Sequence, residues 1–372
     1  MTVVFWLAAI LIAYSYVGYA LWLRLRLLWR TRPVLRGPYT PFVSIVMIVR
    51  NEEGVLARKL QNLLSLDYPE YEVVVVSDGS TDDTESIMRE YQRDRRLQVL
   101  LKQLSQGKAS GLNEALSCVR GEIVVFTDAR QAIEPGAVRF LVENFADPEV
   151  GCVSGELMLG DVKSGETSQG LGLYWRIEKQ IRVLEAASGS MIGATGAIYA
   201  IRRSLLTVLP EGTILDDVYL PMEVVRQGKR VVFEDRARAW DSPNLGTDRE
   251  FNRKVRTLSG NYQLVQLAPW LLTRSNPVRF EFISHKMMRL IVPFALAALL
   301  FASMFLTSPF YRIVLILQFV FYAMSALALS RTLKGGILAR LADASGTFVL
   351  LNGAAVVALA NFVFGRRAVW TR

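Results

Sequence analysis

The sequence predicts an α/β domain built on a doubly wound, mostly parallel sheet and bounded by membrane-spanning helices at both ends. Three observations predict it. Short runs such as Val43–Val49, apolar but for Ser44, and Val73–Val76 read as strands buried on both faces of a parallel sheet. Stretches with helical periodicity alternate with them, which is the pattern of βαβ units. Charge-poor runs near bilayer length stand close to both ends of the chain.

The first of these, Val3 to Leu23, carries the interfacial aromatics Tyr14, Tyr16, Tyr19 and Trp22. It is too long, and lacks the small-residue exit, for a cleaved signal peptide. Arg24, Arg26, Arg30, Arg32 and Arg36 follow it and predict that the next domain stays in the cytoplasm. The chain has 372 residues, 52% of them hydrophobic, and a net charge of +9. Basic residues that crowd the membrane flanks account for that charge, and no interleaving of basic and aromatic residues calls for a nucleic-acid partner. Cys118 and Cys152 have no metal-ligand spacing and are predicted to be core residues in a reducing compartment. His285 is the single histidine, so a triad or His-rich metal site is excluded and any general base is a carboxylate.

Pro33, Gly37, Pro38 and Pro41 punctuate a linker before the first strand, Val43–Val49, which ends in Arg50, Asn51, Glu52 and Glu53. A helix is predicted from Glu53 to about Leu66, with Val55, Leu56, Leu60, Leu63 and Leu64 as its apolar stripe, stopped by Tyr68 and Pro69. The second strand, beginning at Glu72, ends at Asp78-Gly79-Ser80. Ser80 to Asp83 then supply capping side chains for a helix to about Arg95. A third strand at Leu97–Leu101, a polar loop with Gly107 and Lys108, and a helix at Ala109–Val119 lead to a fourth strand, Glu122–Phe126, ended by Thr127-Asp128-Ala129-Arg130. No GxGxxG follows the first strand, which argues against a dinucleotide-binding domain. Ligands of open α/β sheets bind at the carboxyl ends of the strands, so the acidic loop at Asp78 is a candidate nucleotide site. The alternative is that Asp78 and Asp82 only cap a helix.

VSIVMIVRNEE, EVVVVSDGSTDDT, GKASGLNEAL and EIVVFTDAR together resemble, in order and spacing, the donor half of the family 2 inverting glycosyltransferases with the GT-A fold. GATGAIYAIRR, ILDDVYL and RKVRT resemble the acceptor-side motifs of its membrane-embedded branch, which makes cellulose, hyaluronan and related polysaccharides or glucosylceramides. The resemblance covers about Val43 to Tyr262 and the hydrophobic tail. It implies a sugar-nucleotide donor, UDP-linked in the first instance, with Asn51, Glu52 and Asp78 at the nucleoside and Lys108 near the phosphates or sugar. Helix-start acids and a solvated loop lysine are the plain alternatives for Glu52 and Lys108.

Asp128 opens what in the family is Asp-x-Asp, whose last acid binds the divalent cation, Mg or Mn, that neutralises the leaving diphosphate. Here that position is Arg130. The metal could be held through Asp128 and another oxygen, Arg130 could itself meet the diphosphate, or Arg130 could pair with Glu134. Of these, a retained reaction with an altered metal site is the favoured expectation. By resemblance Asp217 is the catalytic base, with Asp216 beside it, and Gly193, Ala194, Thr195 and Gly196 lie at the acceptor. Gly170–Ala187 is predicted to be an amphipathic helix and Gly189–Gly196 a flexible loop of small residues. Arg253 and Arg256 match the (Gln/Arg)-x-x-Arg-Trp motif, one helical turn apart and suited to a departing diphosphate, but Thr257 replaces the tryptophan. The missing ring argues against processive polymer synthesis.

The tail predicts an interface segment from Asn261 to Arg289 and runs at Leu290–Leu306, Ile313–Ser330 and Gly346–Phe364. Three further crossings would put Arg366, Arg367 and Arg372 outside, against the charge rule, and the last run contains Asn352 and Asn361, so it is expected either to be re-entrant or to lie against other helices. The organisation expected is a membrane helix with its basic flank (1–36), a cytoplasmic GT-A domain (37–250), an amphipathic interface segment with the RxxR motif (251–289) and a C-terminal membrane region (290–372). The function expected is transfer of a sugar to a glycan or lipid acceptor at the cytoplasmic face of the membrane, in cell-surface polysaccharide synthesis, with an export partner protein if the product is a polymer. Single transfer to a lipid and a non-catalytic sugar-nucleotide-binding protein are the alternatives.

Overall fold

The structure is a computed structural model. It describes residues 1–160, 173–241, 247–330 and 335–365, without the side chains of 173–175 and 247–250. These residues form two compact units, one built on a β-sheet and one of helices.

The sheet unit takes in residues 26–160, 173–241 and 264–279. Its sheet has eight strands: β1 (Val43–Val49), β2 (Tyr71–Asp78), β3 (Leu97–Lys102), β4 (Ile123–Thr127), β5 (Ala132–Ile133), β6 (Val150–Leu159), β7 (Ile198–Arg202) and β8 (Arg230–Asp241), in the order β3-β2-β1-β4-β7-β6-β8-β5. β3, β2, β1 and β4 run parallel, β7 is antiparallel to both β4 and β6, and β8 returns parallel to β6. The mostly parallel half is thus as predicted. β1 and β2 are buried at every position, because helices cover both faces.

The helices of this unit are α1 (Glu53–Leu64), α2 (Thr84–Tyr91), α3 (Lys108–Cys118), α4 (Ala137–Glu143), α5 (Leu173–Ser188) and α6 (Asp216–Arg226). Leu56, Leu60 and Leu63 of α1 and Val138, Leu141 and Val142 of α4 pack with Val43, Ile45, Val73, Val75, Ile123 and Val125 into one core. Each fully buried side chain of this kind contributes about 1.5–3 kcal/mol. The strand order reverses between β1 and β4, so the segments leaving their carboxyl ends diverge and open a crevice there.

A buried guanidinium, Arg230 at the start of β8, ties the stretch ahead of β1 to the unit. Its Nη2 donates to the carbonyls of Arg32 at 2.6 Å and Ala186 at 3.2 Å, and its Nε to that of Gly189 at 2.8 Å. The Arg32 N–H donates to Ala187 O, and Arg26 to Ser188 O.

In the helical unit, Thr2–Ala13 and Tyr19–Arg26 are joined through a π-helical turn at Tyr14–Gly18, and a second π-helical turn, Ile283–Met287, joins Arg279–Phe282 to Met288–Phe305. Among the described residues four stretches are long and apolar enough to cross a membrane: Thr2–Arg26, Arg279–Phe305, Pro309–Leu329 and Gly336–Val363. Polar side chains inside the unit find one another, Tyr14 Oη with Ser284 Oγ at 2.7 Å and Asn352 Nδ2 with Tyr16 Oη at 3.1 Å. Two expectations change. The last run is one continuous helix beginning at Gly336 rather than Gly346, because Arg340 and Asp343 break the apolar run without breaking the helix. Its 28 residues span about 42 Å, which leaves no re-entrant hairpin. The start expected at Asn261 falls inside the helix Thr247–Leu267. The expectations for residues 170–172 and for Arg366, Arg367 and Arg372 fall outside the described residues.

Gly79 has φ +63°, and a Cβ there would lie 2.5 Å from Ser105 N, whereas Gly107, at φ +92°, has open space around it. Gly79→Ala should therefore lose more stability than Gly107→Ala, by about 2 kcal/mol or more against wild type, measured by thermal unfolding in detergent.

Candidate active site

The carboxyl ends of β1, β2 and β4 bring Asn51, Glu52, Asp78, Asp128 and Arg130 to the crevice, and the first turn of α3 adds Lys108. Lys108 is the junction. Its Nζ lies 3.0 Å from Asp128 Oδ1 and 3.1 Å from Asp216 Oδ2, so one ammonium joins the end of β4 to the start of α6. Asp216 is buried and also accepts from Tyr199 Oη at 3.4 Å, while the Asp128 side chain is 43% exposed. Burial opposes the charge on Lys108, but the carboxylates of Asp128, Asp216 and Asp217 outweigh it and raise its pKa above the ordinary lysine value.

Two residues expected at a nucleoside also hold loops in place. Asp78 is fully buried, and its carboxylate accepts from Ser105 Oγ at 2.7 Å and from the N–H groups of Gln106 and Gly107, both at 2.9 Å. It shapes the loop that delivers Lys108. Asn51 is held at φ +53°, and its Oδ1 accepts from the Thr81 N–H at 2.8 Å while its own N–H donates to Ser80 Oγ. It locks the β1 loop to the β2 loop. Glu52 faces Arg130, with Oε1 3.6 Å from Nε. Burial raises the Glu52 pKa, with Arg130 partly offsetting it. The pairing of Arg130 with Glu134 is not formed, because Glu134 accepts instead from Trp240 Nε1 at 2.7 Å.

On the other side, Asp216 and Asp217 open α6. The Asp217 carbonyl accepts from Ala194 N at 2.7 Å, and a Cβ on Gly196 would lie 3.1 Å from Asp217 Oδ2, so glycine there leaves room for the carboxylate. Gly193 packs on Val218. The Thr195 N–H donates to Ser154 Oγ at 2.9 Å, and its hydroxyl accepts from Arg182. The segment predicted to be flexible is therefore pinned, with Ser190, Met191, Ile192, Ala194 and Thr195 all buried. Small residues were needed for close packing rather than for freedom. Arg253 and Arg256 lie one turn apart on the helix Thr247–Leu267, in the helical unit.

A divalent cation is what the family pattern implies, and the donor set does not fit a site formed by the protein alone. One oxygen of Asp128 already receives the Lys108 ammonium, and Arg130 stands where a second acid would. Among the described residues no group of three or more His, Cys, Asp or Glu side chains could hold a metal ion.

Two residues of this region escaped the sequence reading. Tyr199 stacks on Phe126 with ring centroids 4.6 Å apart and reaches Asp216. Lys59 is buried, its Nζ donating to Thr127 Oγ1 at 2.8 Å and Gln131 O at 2.6 Å. The signal for Lys59 was a charge on the apolar face of a predicted helix, three residues from Leu56.

The sequence profile described as glycosyl transferase family 2 matches residues 44–209, the stretch that carries the crevice loops. Residues 44–209 are a glycosyl transferase family 2 domain. The poly-beta-1,6-N-acetyl-D-glucosamine synthase of Staphylococcus epidermidis is 23% identical over 239 residues, covering 61% of this chain and 56% of that protein. The beta-monoglucosyldiacylglycerol synthase of a Nostoc species is 31% identical over 188 residues, covering 48% of this chain and 40% of that protein. The chain thus spans about half the length of the curated relatives it matches. A mannosyltransferase from Pyrobaculum calidifontis, solved in complex with GDP-Man and Mn2+, superposes with TM-score 0.75 at 24% identity, over 98% of this chain and 99% of that one. The family 2 domain has the GT-A fold, as its motifs implied.

Lys108→Met would leave the buried Asp216 carboxylate without its cation. The expected loss is about 2 kcal/mol of stability, the low side for a broken buried pair because Asp128 is partly solvated. A lysine whose pKa is raised on folding stabilises fully below its unfolded value and loses that effect as pH rises through the folded one. The wild-type advantage should therefore stay level up to about pH 10 in thermal unfolding profiles.

Proposed function

We propose that the chain is a membrane-bound inverting glycosyltransferase that moves a sugar from a nucleoside-diphosphate donor to a hydroxyl of a glycan or lipid at the cytoplasmic face. The observation that carries this reading is the Lys108 bridge. It holds the end of the donor-side loop at Asp128 and the start of the acid-bearing helix at Asp216 within one ammonium's reach. Asp217, the next residue, stands beside Gly196.

In this reading the loops after β1, β2 and β4 receive the nucleotide, with Glu52 as its carboxylate contact and Asn51 and Asp78 setting the loop shapes. Lys108 and Arg130 meet the negative charge of the diphosphate, Arg130 as a planar guanidinium with paired donors. Arg253 and Arg256 grip the diphosphate as it leaves, as the family motif implies. Asp217 takes the proton of the acceptor hydroxyl. The oxygen attacks the anomeric carbon from the face opposite the diphosphate, the carbon–oxygen bond to phosphate breaks with its electron pair leaving on the nucleotide, and the configuration inverts. Gly193, Ala194, Thr195 and Gly196 line the acceptor side. With an arginine at the second acid position, the diphosphate charge is met by the protein's own cations.

A lipid acceptor is the favoured class. The glycolipid synthase relative is 31% identical over its 188 matched residues, while the polysaccharide synthase is 23% identical over 239. The tryptophan of the polymer-making motif is Thr257 here, and four long apolar helices supply a bilayer contact. Both UDP- and GDP-linked sugars belong in a donor screen, the second because the mannosyltransferase of matching fold was solved with GDP-Man.

Purified protein with membranes and labelled donors should release nucleoside diphosphate and make a single-sugar lipid product, read by mass. Asp217→Asn should slow release by about 10²- to 10⁴-fold while donor affinity stays within about threefold. Unchanged turnover in that variant removes the assigned base, and tight donor binding without turnover in wild type identifies a sensor. Donor affinity should change by less than about threefold between excess chelator and saturating Mn2+, measured by calorimetry, because in this reading Lys108 and Arg130 meet the diphosphate charge. A larger loss in chelator restores a metal-bound donor.

A further inference from the structure

Lys59 lies on the face that α1 turns to the sheet, one turn from Leu56 and Leu63, and is 2% exposed. Packing does not account for it. A hydrocarbon side chain fills such a space without the cost of burying an amine, so a lysine there answers another need. Its two hydrogen bonds go to the two ends of one short turn, Thr127 Oγ1 on one side and Gln131 O on the other. Between those ends lie Asp128 and Arg130, the residues that present charge to the crevice. Thr127 Oγ1 in turn donates to Ala197 O at 2.9 Å, next to Gly196 and the Asp217 carboxylate. One buried amine therefore fixes the donor-side turn directly and the end of the acceptor-side loop through a single hydroxyl.

We infer that Lys59 is a positioning residue of the donor site, whose amine clamps the Thr127–Gln131 turn at both ends and sets positive charge beneath Asp128. This rests on the donor-site reading above and adds a residue outside the family motifs. The two hydrogen bonds use two of the amine's hydrogens and survive loss of a third. What deprotonation removes is the charge. Burial pushes the pKa of Lys59 down to about 7, with the Asp128 carboxylate pulling the other way. Asp241 stands one bond further off, accepting from Gln131 Nε2 at 2.9 Å. Two opposite slopes follow. Above neutrality the site loses a cation that helps hold the donor, so affinity falls. The fold, relieved of a buried charge, gains stability up to the unfolded lysine value near 10.5.

The test is calorimetric titration of the detergent-purified full chain with GDP-Man and UDP-glucose, beside its thermal unfolding. Wild-type Kd should rise about threefold to tenfold between about pH 6 and pH 8.5, while Tm rises. Lys59→Gln keeps a hydrogen-bonding group without the charge, and its Kd should stay level at the wild-type high-pH value. Lys59→Met should bind more weakly at every pH, with the loss in KM rather than kcat, and with Tm at pH 6 no lower than wild type. A merely structural lysine would lower Tm and leave affinity unchanged in both variants. Lys59→Gln tracking the wild-type pH profile, or Lys59→Met binding as tightly as wild type, overturns this inference alone. Failure of wild type to bind either donor overturns the donor-site reading and this inference with it.

Discussion

The interaction on which the arrangement depends is the ammonium of Lys108 lodged between the carboxylates of Asp128 and Asp216. Those acids are far apart in the chain and would repel one another at this distance. A single cation removes the repulsion and turns it into a joint between the parallel half of the sheet and α6. Desolvation works against any buried charge, so the joint holds because two partners share one cation. The crevice is thereby formed before any ligand arrives, with its acids at fixed separation. Preorganisation of this kind is where an enzyme that moves charge gains most of its effect.

Behind that joint lies a layer of polar groups that hold loops rather than ligands. Asp78 uses its carboxylate on a side chain and two backbone N–H groups. Asn51 accepts a left-handed backbone in order to bridge two loops, and Gly79 tolerates a neighbour at a distance no Cβ would. Strain and buried charge collect here because loops at a sheet edge have few apolar contacts to define them. Hydrogen bonds substitute for packing, and acids that a motif marks as ligands serve first as struts.

How much of this was legible in the sequence follows from the range of each interaction. β1 to β4 and their helices were legible because burial on both faces writes continuous apolar runs and α1 writes a clear stripe. The later strands were not read individually, because β6 to β8 mix polar and apolar positions and pair across long separations. The cluster of acids was legible as motifs. The division of labour within it was not, because whether a carboxylate meets a ligand or a backbone N–H depends on where a distant loop lies. Lys59 and Tyr199 belong to the same class: each acts on the site from an element whose local pattern describes only a core helix or strand. The pinned segment Gly189–Gly196 was misread for a related reason, since small residues permit both motion and tight packing and composition does not separate the two.

The anchorage of Arg230 sets where this protein can be divided. A fragment begun in the proline-rich stretch, the place composition suggests for a cut, would strip the guanidinium of the Arg32 carbonyl and unseat the backbone bonded to Ala187 and Ser188. The exposed cation would then sit at the end of α5, beside the pinned segment Gly189–Gly196. Expression of the sheet unit by itself is best started ahead of Arg26, with the tether kept and the first hydrophobic helix left behind.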